Sequence, residues 1–408
     1  MKRYEIYKDS GIQWWEEIPT HWELKKAKHM FSLVTENVSD SSLPKIALEN
    51  IESWTGKYIE TDSDFMGEGV EFKKDDILFG KLRPYLAKVY KAEFAGQAVG
   101  DIYVFRGNEE QNPEYLKYLL LSYPFISMVD GSTYGAKMPR ANWDFISHLV
   151  LPCPPKTEQV IIAAFLDRKV SQIDATIAEK EQMLEDLKAY RSAIISEAVT
   201  KGLDKNVEMK DSGIEWCREI PKHWNVQKIK FLSNMLSGTN LTSEQILEEG
   251  LYPVYGGNGI RGYYNDFNTE GTRVLVGRQG ALCGNVNLAS GKFWATEHAV
   301  VCHPIHYYDS DWFSALLETM NLNQYSQSAA QPGLSVEKIK NLSIPIPPIT
   351  EQVRIGVFIK KQKELISSSL CELESQIHEL KSYKSTLITE VVTGKIDVRE
   401  WKPKKENV

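Results

Sequence analysis

Three short constellations hold residue types that could do chemistry, and each lacks the setting that chemistry needs. Gly257, Gly259 and Gly262 in GNGIRG have the spacing of a dinucleotide-binding loop, where glycines let a pyrophosphate approach the start of a helix. This stretch continues as YYNDFN with no helix opening after it, so a Gly-Asn turn between strands is the expected use. Cys302, His303 and His306 in CHPIH carry metal-binding donors, but the spacing is tighter than that of a zinc finger and a fourth ligand is missing. His21 and His223 recur in one P-x-H-W element, which points to packing around Trp22 and Trp224 rather than to catalysis. The chain contains no GxxxxGK[ST] phosphate loop, no NPPY or DPPY tetrapeptide of an amino-methyltransferase and no nuclease-type carboxylate cluster with a trailing lysine. The expectation is therefore no catalytic residue, no metal and no cofactor held by this chain. Cys153, Cys217, Cys283, Cys302 and Cys371 never form a Cys-x-x-Cys pair and are expected to be reduced, mostly buried thiols.

The elements that position these residues are duplicated. KDSGIQWWEEIPTHWELKKAK at 8–28 returns as KDSGIEWCREIPKHWNVQKIK at 210–230, and LVLPCPPKTEQVIIAAFLDRK from Leu149 returns as LSIPIPPITEQVRIGVFIKKQ from Leu342. Between these matching ends the copies diverge almost completely. Residues 45–106 and 252–301 are both rich in β-branched and aromatic residues punctuated by Gly and Asn turns, so both middles are expected to be strand-rich globular domains. One frame carries two different heads.

Each copy ends in a long helical pattern. Pro155 and Pro348 suit a position before a helix, Thr157 and Thr350 are the expected N-caps, and Glu158 and Glu351 fall in the first turn, where acid is favoured. Apolar residues then recur at alternating steps of 4 and 3. Ile173, Ile177, Leu184, Leu187 and Ile194 form one seam, interrupted by Lys180 and Arg191. Ile366, Leu370, Leu373, Ile377, Leu380 and Leu387 form the other, interrupted by Lys384. Two such seams in one chain are most simply each other's partner.

The 408 residues suffice for several cores, and 42% hydrophobic with 25% charged residues is a globular composition with no apolar run of about 18 residues for a membrane span. The N-terminus MKRYEIYKDSG has no apolar signal segment, and a cytoplasmic location is expected. A net charge of -7 runs against simple nucleic-acid binding. Its distribution is uneven: Glu49 to Asp76 is acid-rich, and the following ILFGKLRPYLAKVYK is purely basic in its charged residues.

DSGIxW with EIPxHW, a diverged middle, PxPPxxEQ and a long helix, all repeated, resembles the DNA-specificity subunit of type I restriction-modification systems over nearly the whole chain. The resemblance implies an α+β fold: two strand-rich target recognition domains joined by two long helices in an antiparallel coiled coil, a pseudo-twofold tandem duplication. The expected division is 1–154 and 206–347 for the recognition domains, 155–205 and 348–400 for the helical spacers, and 401–408 for a polar tail. It further implies that the chain reads a bipartite double-stranded DNA site, the helices acting as a ruler between the halves. Two methyltransferase subunits and restriction subunits are the implied partners, with S-adenosylmethionine, ATP and magnesium bound by them. Arg and Lys favour guanine edges or phosphates, and Asn or Gln favour adenine. The expected contacts are Lys81, Arg83, Tyr85, Lys88, Lys137, Arg140 and Asn142 in the first domain, and Asn258, Arg261, Arg278 and Gln279 in the second. The alternative class is a coiled-coil scaffold whose heads bind proteins or other ligands.

Overall fold

The computed structural model describes residues 2–12, 15–38, 43–61, 68–133, 138–280, 283–326 and 333–402. Two compact units form, Met1–Glu181 with Ser375–Val408, and Gln182–Glu374. The division falls inside both long helices, Lys156–Lys201 and Ile349–Val392, so each unit owns one diverged domain and a piece of each helix. Among the described residues no helix is long and apolar enough to cross a membrane.

Both helices start two residues earlier than their threonines suggest. Pro155 O accepts from Glu158 N (2.8 Å) and Gln159 N (3.0 Å), and Pro348 O accepts from Glu351 N and Gln352 N at the same distances. Thr157 and Thr350 therefore sit in the first turn rather than at the N-cap. A capping residue must supply a carbonyl to the first turn, and proline supplies it without an N–H of its own to satisfy.

The glutamates of this first turn lock the helices to the repeated N-terminal elements. In the first unit Glu158 is 5% exposed. Its carboxylate accepts from Tyr4 Oη (2.6 Å) and Trp22 Nε1 (3.1 Å), and His21 Nε2 lies 2.7 Å away. In the second unit Glu351 accepts from Trp224 Nε1 (3.0 Å), with His223 Nε2 at 2.6 Å. The next residue reaches the other way. Gln159 Oε1 accepts from Asn112 N (2.8 Å) and Gln352 Oε1 from Asp309 N (3.2 Å), where Asn112 and Asp309 cap the helices Pro113–Leu121 and Ser310–Thr319 of the diverged domains. Lys8 and Lys210 each donate to the carbonyl of the tryptophan fourteen residues on, at 2.5 and 2.6 Å. Matched strand pairs close each frame: Glu23–Lys26 with Val150–Cys153, and Asn225–Lys228 with Ser343–Ile346.

Each diverged domain holds two four-stranded sheets. One sheet has the same order in both: Phe31–Val34, Ile102–Gly107, Ile77–Gly80, Val89–Lys91 in the first, and Ser233–Ser237, Ala299–Pro304, Arg273–Gly277, Val286–Ala289 in the second. The other sheet shares three strands. Gly96–Ala98 pairs parallel with Lys45–Ile46 and antiparallel with Gly69–Phe72, and Lys292–Ala295 pairs likewise with Tyr252–Gly256 and Thr269–Glu270. The fourth strand differs: Asn37–Val38 in the first domain and Gly259–Tyr264 in the second.

Within the first unit the helices run antiparallel, as Asp174 with Lys384, Lys180 with Gln376 and Glu181 with Lys381 show. Ile173, Ile177, Leu184, Ile366, Leu370, Ile377 and Leu387 are buried in their own units, and Leu187, Ile194, Leu373 and Leu380 are half-buried. Two of the polar interruptions, Lys180 and Lys384, are paired across the helices. Lys384, 8% exposed, donates to Asp174 Oδ1 at 2.7 Å, and Lys57 from the diverged domain reaches Asp174 Oδ2 at 2.8 Å. Burial raises the Asp174 carboxyl, but the hydrogen bonds from Lys384 and Lys57 outweigh it and hold it below the usual carboxylate range.

Glu158→Ala strands a buried hydroxyl and a buried indole N–H, so the first unit should lose about 3 kcal/mol in a denaturant titration. Glu351→Ala, at a more exposed carboxylate with fewer donors, should cost less. Lys384→Met leaves Asp174 with Lys57 alone, and the expected loss is roughly 2 kcal/mol, below the range for a fully broken buried pair. Because the Asp174 pKa is depressed on folding, its stabilisation is present above the usual carboxylate range and disappears as pH falls through the lowered value. The gap between wild type and Lys384→Met should therefore close in acid; a gap constant with pH would refute this assignment.

Candidate functional site

In the first domain two separate stretches meet beyond the strand Ile77–Gly80. Lys81 N donates to Asp101 O (2.9 Å), Ala141 N donates to Lys81 O (2.7 Å), and Arg83 N donates to Pro139 O (2.8 Å). GKLRPYL and PRANW are thereby zipped together. Lys81 Nζ lies 3.8 Å from Asp101 Oδ1 and 5.4 Å from the Tyr103 ring centre. Arg140 grips both Asp101 oxygens through Nε and Nη2, each at 3.1 Å. Arg83 adopts a left-handed backbone with φ +50 and is exposed. Tyr85 is also exposed, and its carbonyl accepts from Trp54 Nε1 at 3.1 Å. Asn142 is exposed and caps the helix Trp143–His148 through Asp144 N. Lys88 is placed differently: its ammonium is half-buried and donates to Leu48 O (2.6 Å) and Ile51 O (2.7 Å), and burial lowers its pKa. Lys137 lies outside the described residues.

The second domain repeats this backbone with other side chains. Arg278 N donates to His298 O (2.9 Å), and Leu334 N donates to Arg278 O (2.9 Å), the same pair of bonds that Lys81 makes. Leu82 bridges Arg140 in the first domain, and Gln279 bridges Gly333 in the second. Ser335 caps Val336–Lys340 as Asn142 caps its helix. Arg278 Nη1 donates to Ser237 Oγ at 3.3 Å, and Gln279 is exposed. Asn258 lies in the hairpin turn between Tyr252–Gly256 and Gly259–Tyr264 and hydrogen-bonds Asn285. Arg261 is exposed on that hairpin, its side chain lying across Gly256. All four expected residues thus gather at one end of the domain.

Known proteins show the same organisation. The family model for the type I restriction modification DNA specificity domain matches residues 24–186 and again 221–378, well over half of the chain. The chain belongs to that family. A type I restriction enzyme EcoprrI specificity subunit from Escherichia coli is 39% identical over 164 residues, 39% of this chain and 40% of that protein. The EcoDI specificity subunit from the same organism is 25% identical over 197 residues, 44% of each chain, so this chain spans less than half the length of these two relatives. The EcoBI specificity subunit, also from Escherichia coli, is 22% identical across 82% of this chain and 76% of its own. Among solved structures, a chain from work on complex assembly and conformational transition of the type I R-M system superposes with a TM-score of 0.74. That match covers 93% of this chain and 99% of the other at 15% identity. The HsdS subunit from Thermoanaerobacter tengcongensis gives 0.53, at 16% identity, over 93% and 98%. At these identities the likeness is one of fold.

The two DNA specificity domains therefore use one architecture in which Lys81 and Arg278, chosen from unrelated stretches, occupy the same place. Asp101 and His298 also share a place, and neither carried a signal in the sequence: each is brought in by a strand far along the chain. The competing constellations fall to other roles. GNGIRG forms the hairpin, with Gly259 at φ +98, and no helix follows it. Cys302 is buried in a strand, and among the described residues no group of three or more His, Cys, Asp or Glu could hold a metal ion. Cys153, Cys217 and Cys283 are buried too, and Cys371 is exposed.

A glycine marks the close approach in both domains. A Cβ on Gly277 would lie 2.1 Å from Gly257 O, whereas one on Gly80 would meet the Leu48 side chain at 2.8 Å. Gly277→Ala must push backbone and should cost about 3 kcal/mol, near the top of the overpacking range. Gly80→Ala meets the end of a flexible leucine and should cost less. Comparing thermal unfolding of the two variants checks this order, and an equal or reversed cost would contradict it.

Proposed function

We propose that the chain reads a bipartite double-stranded DNA site, one half with each specificity domain, for a type I restriction-modification complex. The observation that carries this reading is the shared backbone zipper beyond Gly80 and Gly277, which holds different polar side chains in the two domains: Lys81 with Asp101 and Arg140, against Arg278 with His298, the place of Arg140 being taken by Gly333. A common mount with exchanged side chains is what two readers of unlike half-sites require, because direct readout depends on donor and acceptor identity at a fixed distance. The paired helices set the gap between the halves in this reading. Two methyltransferase subunits and the restriction subunits dock on the repeated frame, and S-adenosylmethionine, ATP and magnesium act in those partners.

The experiment is to purify the chain alone and with its methyltransferase partner and to map modified bases. The chain alone should transfer no methyl group from S-adenosylmethionine, and the complex should modify a split motif. Residues 231–340 should then be replaced by the same region of a relative. The cut points leave the frame pair Asn225–Lys228 with Ser343–Ile346 intact, so one half of the motif should change and the other persist. Loss of both preferences in a folded, partner-binding chimera would refute the one-domain, one-half assignment. Absence of any sequence preference in the wild-type complex would favour a scaffold instead.

A further inference from the structure

The place shared by Asp101 and His298 carries an inference that deepens the DNA-reading proposal and rests on it. In the first domain Asp101 is a carboxylate between two cations. Arg140 spends Nε and one Nη2 hydrogen on it, at 3.1 Å each, while Lys81 Nζ stands 3.8 Å away. The Asp101 side chain is 23% exposed and that of Arg140 52% exposed, so the acid sits behind the guanidinium. The Nη1 donors of Arg140 have no partner among the described residues. An unsupported arginine on a surface samples many rotamers, and ordering it on binding costs affinity; a second partner that fixes its plane beforehand removes part of that cost. In the second domain Gly333 stands where Arg140 does and His298 where Asp101 does, and Arg278 is supported by a serine hydroxyl instead of an acid.

We propose that Asp101 is a specificity-determining positioning residue: it fixes Arg140, with Lys81 alongside, as a preoriented cationic fork that reads a guanine in the first half-site. Arg140 touches the base and Asp101 acts through it. The second domain lacks this buttressed pair and reads its half-site from Arg278 and its neighbours.

The test uses the full chain in complex with its methyltransferase partner and a set of duplexes in which each base pair of the mapped motif is changed in turn. Asp101→Ala and Arg140→Ala should flatten discrimination at one and the same base pair of the first half-site, by about tenfold for the loss of a good base contact. The double variant should be no worse than the worse single variant, and the second half-site should not change. Affinity of Asp101→Ala for unrelated duplex should hold or rise, since a negative charge has been removed; a purely structural acid would lower affinity for every duplex. Asp101→Asn keeps the side-chain shape and gives the same reading if the alanine variant fails to fold. Uniform weakening on all duplexes, effects of the two variants at different base pairs, or an unchanged pattern in Asp101→Ala would each overturn the inference. A wild-type complex without sequence preference would instead overturn the DNA-reading proposal itself.

Discussion

The fold depends on one carboxylate per unit, buried in the first and partly exposed in the second. Glu158 and Glu351 sit in the first turn of a long helix, and each accepts from the indole of the repeated EIPxHW element. A carboxylate away from water is tolerated only when its oxygens are supplied with donors. Here the donors come from a tryptophan, a histidine and, in the first unit, a tyrosine. The adjacent Gln159 and Gln352 face the diverged domains and accept at the caps of their helices. Two neighbouring side chains thus tie helix, frame and diverged domain into one arrangement. This explains on physical grounds why the Glu-Gln pair and the His-Trp pair return together in both copies: neither pair can be satisfied without the other.

With the frame held, the diverged domains keep their backbone for a different reason. Their common sheets are joined by main-chain hydrogen bonds, which do not depend on side-chain identity, and the shared bonds survive at nearly equal lengths in both. Glycine at 80 and 277 is the exception, since there the space for any Cβ is already occupied. The free variable is what stands at the strand ends. At Asp76 with Arg106 the first domain has a buttressed ion pair of 2.6 and 2.8 Å, and at the matching sheet positions the second has Arg273 and His303. Burial and the nearby Arg273 push the His303 pKa down. Charge signs are rearranged while the sheet order stays.

The duplication, the helices and the seam were legible because each is written in local spacing. The register of the helices was half legible: Lys180 and Lys384 stand out as polar residues in an apolar seam, but their partners Gln376 and Asp174 lie on the opposite helix at a distance no local pattern records. The helix starts were displaced by two residues because threonine is the stronger capping side chain, yet the proline carbonyl was already in place. At the candidate site the residue types were legible and their partners were not. Lys88 looks like its neighbours in GKLRPYLAK, and only the fold reveals that its ammonium serves Leu48 and Ile51. Asp101 was invisible for the converse reason: an acid in a candidate nucleic-acid surface reads as unfavourable until the arginine it orients is seen beside it.

These pairings also resolve the tension between the net charge and the proposed function. The basic stretch after Asp76 is not a free cationic face. Lys81 stands near Asp101, Lys88 is spent on carbonyls, and Lys91 is held by Glu114 at 2.6 Å and Asp75 at 3.4 Å. Arg83 is the cation of this stretch whose side chain has no partner among the described residues. A DNA reader built this way neutralises few phosphates and gains little of the salt-dependent, sequence-independent affinity that a basic surface provides. In the proposed function its discrimination comes from contacts to base edges and from side chains held ready for them. An acidic body suits that division: repulsion from unrelated duplex lowers the background against which a few oriented donors are read.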